Sequence, residues 1–85
     1  MKAKISQEQL DLIIESHGKW LRGEDGGERA DLSFKDISGA NMSGADMRRA
    51  NMSGANMSDA DMIDANMGGA YVIDANIRRT NLSGA

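Results

Sequence analysis

From Ala30 to Ala85 the chain repeats every five residues without an insertion: ADLSF, KDISG, ANMSG, ADMRR, ANMSG, ANMSD, ADMID, ANMGG, AYVID, ANIRR, TNLSG, then Ala85. The first residue is Ala in nine of these eleven blocks, the exceptions being Lys35 and Thr80. The second is Asp or Asn in ten, the exception being Tyr71. The third is always apolar: Leu32, Ile37, Met42, Met47, Met52, Met57, Met62, Met67, Val72, Ile77 and Leu82. Self-similarity at a fixed short period is the mark of a repeat architecture.

A period of five fits neither regular element. A helix returns its apolar face every 3.6 residues and a strand every two. On a helix, a five-residue step would rotate each Met by about 140°, so the apolar residues would circle the axis. Such a helix, rich in Asn, Asp and Gly, is not credible. Within a block, however, the first and third residues are two apart. In extended backbone they face the same way and the second faces oppositely. Each block therefore reads as a very short strand with Ala and a large apolar residue inward, and the Ser, Gly or Asp pair supplies a corner. Bending after every block coils the chain into a solenoid whose turns pair at roughly 4.8 Å.

These blocks resemble the pentapeptide-repeat family, whose motif is Ala-(Asp/Asn)-Leu-X-X; the match covers 56 of 85 residues. The resemblance implies an all-β fold: a right-handed quadrilateral β-helix of about three coils, one block per side, closed by one N-terminal capping α-helix. The chain departs from the family in using Met where Leu or Phe is favoured. Lys35 at an inward position is a second departure, expected near the end of the stack where its ammonium can escape.

Residues 1–29 read as a leader, a helix and a link, and residues 30–85 as the repeat, in one domain. Met1 to Ile5 reads as a loose leader. Ser6 and Gln9 form a capping box before Leu10, Ile13, Ile14, His17 and Leu21 recur at helical spacing. The helix is expected over about residues 7–22, acidic early and basic late, as its dipole prefers. Its apolar stripe, with Trp20, would cover the first coil, because a bare solenoid end invites aggregation. Glu24 to Arg29 reads as a flexible link. The other end stops at TNLSGA with the motif intact, so it is expected to fray, to dimerise with a second copy, or to be covered by a partner.

Bulk properties narrow the classes. There is no Cys, hence no disulfide framework or thiolate metal site. No apolar run is long enough to span a membrane, and the first residues lack a signal-peptide core. The expectation is a cytoplasmic protein without membrane contact. A net charge of −3 argues against direct nucleic-acid binding. No enzyme is expected. His17, the sole histidine, reads as a packed cap residue; the recurring Asp residues read as structural, and the Ser residues lack a neighbouring base. No cofactor or metal is expected: the carboxylates do not converge, and the Met column reads as core filler.

With four blocks per coil, residues twenty apart stack. The face of Ala30, Ala50 and Ala70 then carries Asp31 and Asp74, and that of Ala40, Ala60 and Thr80 carries Asp61 and Asp64, neither with a base. Arg48 and Arg49 stand against Asp46, and Arg79 lies over Asp59. Tyr71 and Ile73 point outward on the first face, with Phe34 at its other end. Two functions stay open. The resemblance implies a DNA-mimicking inhibitor, since relatives of this repeat occupy the DNA site of DNA gyrase and topoisomerase; small anti-CRISPR proteins that block a CRISPR surveillance complex could use the same logic. Its acidic faces would be Asp31, Asp46, Asp61, Asp64 and Asp74. However, seven Asp against five Lys or Arg leave the repeat at only −2. The alternative is a rigid module that binds a protein partner, or itself, through Tyr71, Ile73 and Leu82.

Overall fold

The computed structural model describes residues 4–85. Of the expected leader, Met1, Lys2 and Ala3 lie outside the described residues. One helix, α1 (Gln7–Leu21), is followed by a chain that winds back on itself every twenty residues. Parallel bridges join Asp31 to Asn51 and Asn51 to Tyr71, Asp36 to Asn56 and Asn56 to Asn76, and so on around the winding. Residues 30–49, 50–69 and 70–85 thus form three successive levels.

The expected all-β architecture, a right-handed quadrilateral β-helix, is corrected here. Among the described residues each bridge is an isolated pair, and no strand or sheet is formed. The backbone explains why. All eleven fifth positions, from Phe34 to Gly84, have positive φ. The next block's first N–H then bonds back to the third residue's carbonyl, as in Lys35 to Leu32 at 3.1 Å and Ala50 to Met47 at 3.1 Å. That is a turn with a left-handed third residue. A turn every five residues leaves one extended residue to pair before the chain bends again.

The N–H groups of a typical block are nevertheless all used. In the middle level the second residue donates to the level before (Asn51 to Ala30 O, 3.0 Å). The third and fifth donate to the level after (Met52 to Tyr71 O and Gly54 to Ile73 O, both 2.8 Å). The fourth donates to its own block's Asp or Asn side chain, as Ser53 does to Asn51 Oδ1 at 3.1 Å. This satisfies the backbone without a sheet. It also explains the second position: only a short side chain with an oxygen at that distance closes the turn.

The core is the inward column of first and third residues, with Leu32, Ile37, Met47, Met52, Met62, Ala50 and Ala55 fully buried. Lys35, at an inward position of the first level, is exposed.

Helix α1 begins on the expected capping box, with Ser6 Oγ accepting from Gln9 N–H at 3.1 Å and Gln9 Oε1 accepting from Ser6 N–H at 3.1 Å. It lies across the first level and replaces the missing level below with side-chain groups. Gln7 both donates to Asn41 O and accepts from Asn41 N–H, each at 2.8 Å. His17 is fully buried; Nδ1 accepts from Ala30 N–H at 2.9 Å, so Nε2 carries the proton given to Arg48 O at 2.7 Å. Ile5 N–H donates to Asp36 O at 3.0 Å, and Lys4 Nζ donates to Ser38 O. The link over residues 24–29 is fastened: Glu24 N–H bonds Lys19 O at 2.9 Å and Glu28 N–H bonds Ser16 Oγ at 3.0 Å. Gly27 is forced by space, since a Cβ there would lie 2.3 Å from Trp20 N.

Candidate functional site

The carboxylates marked in the sequence are largely absorbed by the fold. Asp31 accepts from Ser33 N–H at 3.1 Å and from Ser33 Oγ at 2.6 Å. Asp46 takes both the Arg48 N–H at 3.3 Å and a two-pronged guanidinium contact at 2.8 Å per prong. Asp61 accepts from Ile63 N–H at 3.1 Å. Asp64 and Asp74 stand exposed at left-handed corners, on different blocks. The five are scattered over four blocks around the winding, Asp61 and Asp64 sharing one. Arg79 reaches Asp59 at 3.0 Å, an exposed pair of small energetic value.

Two of these turns titrate. The Ser33 hydroxyl, then its N–H, holds the Asp31 carboxyl below the usual carboxylate range; the Arg48 guanidinium does the same for Asp46. A carboxyl depressed in the fold adds stability above its unfolded value of about 3.9 and withdraws it as pH falls through the folded value. These two carboxylates are therefore expected to make thermal melts fall as pH is lowered through the carboxylate range. The double variant Asp31→Asn/Asp46→Asn keeps both oxygen acceptors and should show a shallower acid limb; superimposable limbs would refute this assignment.

The apolar candidates are not one patch. Leu82 lines a recess of about 200 Å³ between the second and third levels, together with Met57, Met62, Met67, Val72 and Ile77. Tyr71 and Ile73 stand instead on the outer face, 54% and 70% exposed. Phe34, 66% exposed on the same face, lies over Gly54, where a Cβ would come within 2.5 Å of its ring.

Tyr71 marks the one break in the second-position rule. Ten second positions supply the oxygen that caps the fourth N–H. Tyr71 has none to supply, so Ile73 N–H loses that acceptor. The Tyr71 ring is held by the Arg29 guanidinium, 5.0 Å from its centroid, and Arg29 Nε donates to Arg49 O at 2.6 Å. Trp20 and Gly69 complete a groove with these residues. Trp20 in turn stacks on His17 at 5.5 Å between centroids. Sequence reasoning found Tyr71 and missed Arg29 and Trp20 as its neighbours. Arg29 precedes the first block, and its reach across two levels to Tyr71 exists only in the wound chain.

Among the described residues, no group of three or more His, Cys, Asp or Glu is placed to hold a metal ion. No helix among them is long and apolar enough to cross a membrane. No curated protein matches the chain. The family model for pentapeptide repeats matches in eight copies, over residues 28–64 and 55–85. With the five-residue blocks, the twenty-residue return and this match in place, the chain belongs to the pentapeptide-repeat family.

Proposed function

We propose that this protein is a binding module without enzymatic activity, which engages a protein partner through the outer face of Tyr71, Ile73 and Phe34. One observation carries the reading. At Tyr71 the repeat gives up a turn-capping oxygen and places there an aromatic ring more than half exposed, beside an Ile more exposed still. A side chain kept against the local rule, at a cost in hydrogen bonding, marks a position chosen for something other than folding. Tyr and Trp next to Arg are the residues that concentrate energy at protein interfaces. A DNA-mimicking inhibitor draws less support, because Asp31, Asp46 and Asp61 spend oxygens on their own turns and Asp46 is neutralised by Arg48.

Tyr71→Asn separates binding from folding. Asn restores the acceptor for residue 73, worth about 1 kcal/mol, and loses an exposed cation–π contact worth about 0.5 kcal/mol. The variant should melt about 2–4 °C higher than the parent. It should also lose the partner retained by the parent in affinity capture from cell extract, as should Ile73→Ser. Retention by both variants, with loss on Asp61→Asn/Asp64→Asn or on adding duplex DNA, would reverse the choice in favour of mimicry.

A further inference from the structure

We infer that the groove between Trp20 and Tyr71 is an oxyanion-binding site, which takes an acidic side chain from an extended segment of the protein partner. The inference rests on the partner-binding reading above and adds the chemistry of what is bound.

Arg49 supplies the main argument. It occupies a fifth position, with φ of 65°. Five of the eleven fifth positions are Gly and three are Asp, the residues that tolerate this conformation. Each of the three bulky exceptions is strained. Phe34 covers Gly54, and Arg79 pairs with Asp59. For Arg49, no carboxylate among the described residues lies within ion-pair distance. Its stem lies along Gly69, whose added Cβ would be 3.5 Å from Arg49 Cγ. A strained, exposed cation without an internal partner is explained by an external one.

The surroundings narrow the partner. Arg29 joins Arg49 in the groove, its Nε on the Arg49 carbonyl and its guanidinium carbon over the Tyr71 ring, which leaves its two terminal nitrogens for a ligand. The block ANMGG alone has Gly at both fourth and fifth positions, so Gly68 and Gly69 offer a bare shelf beside Arg48 and Arg49. Two guanidiniums suit the planar, two-pronged recognition of a carboxylate or phosphate. The aromatic walls suit the stem that carries it. The site is small: Asp31 shares a column with Tyr71 and acts on Arg29, and Asp46 is bound to Arg48. A nucleic-acid strand would run its next phosphates onto these carboxylates, whereas a peptide presenting one acidic side chain would not.

Trp20, the only tryptophan, lines the groove and reports on it. The full chain would be titrated with an end-capped hexapeptide carrying one Glu among Gln residues, with the same peptide carrying one phosphoserine instead, with hexaglutamine and with hexathymidylate, following Trp20 fluorescence. Saturable change with either acidic peptide and none with hexaglutamine is expected; which acidic peptide binds more tightly identifies carboxylate or phosphate as the source. Arg49→Gly should weaken that binding at least tenfold while raising the melting temperature by about 4 °C, because Gly relieves the left-handed corner. Arg29→Gln should weaken it by a similar factor. Equal response to hexaglutamine, tighter binding of hexathymidylate, no response to any acidic peptide, or unchanged binding in Arg49→Gly would each overturn the inference. If Tyr71→Asn still abolishes partner capture in that event, the interaction face stands and only its acidic ligand falls.

Discussion

Replacing His17 with Ala is expected to cost about 3–5 kcal/mol of unfolding free energy, a large share of what a domain this small has. The side chain is fully buried, and both ring nitrogens are committed. Its removal leaves Ala30 N–H without an acceptor and Arg48 C=O without a donor, at about 1–3 kcal/mol for each buried group left unpaired. It also takes away the ring stacked on Trp20. These contacts fasten α1 to the first level, so the cap should loosen with them. Urea unfolding followed by Trp20 fluorescence checks the magnitude. His17→Gln provides the internal control, because an amide can donate and accept as Gln7 does at Asn41, and it should recover part of the loss. A loss below about 1 kcal/mol in His17→Ala would refute this account of the cap.

Met52→Ala is expected to destabilise by about 2–4 kcal/mol. Met52 is fully buried, one level above Leu32 and one below Val72, in a column where each level has one large side chain. Neighbouring levels are tied by backbone bonds on both sides, Leu32 N–H to Asn51 O at 2.7 Å and Met52 N–H to Tyr71 O at 2.8 Å. The walls therefore cannot collapse into the cavity, which is the condition for a large cost. Met52→Leu conserves volume and should stay within about 1.5 kcal/mol. Because Met52 sits beneath the block that holds Tyr71, Met52→Ala should weaken partner capture as well. Equal stabilities for the Ala and Leu variants would mean that the Met column is loosely packed.

The block alternation made the inward column readable, and Leu32 to Met62 are buried as that alternation requires. The capping box and the extent of α1 were equally plain, because local chemistry sets them. The sequence also marked the second positions as structural, but not their task of capping the fourth N–H, which depends on the turn. The all-β expectation failed for a related reason: extended residues alternate with left-handed corners too often for any strand to form. Asp46 and Asp61 looked like an acidic display by composition, yet each accepts inside its own block. Leu82 and Tyr71 stand apart, one in the inward column and the other on the outer face, a separation that only the winding sets.

What the sequence determined by itself is whatever five residues can decide: which residues face in, where the chain must turn, and where the helix begins. These are short-range matters of side-chain size, turn chemistry and capping. Only the wound chain decided which distant residues meet. His17 closes the first level because α1 lies across it, and Arg29 reaches Tyr71 because Asp31, Asn51 and Tyr71 stack in one column. Such contacts come from the twenty-residue return, and no five-residue window contains them.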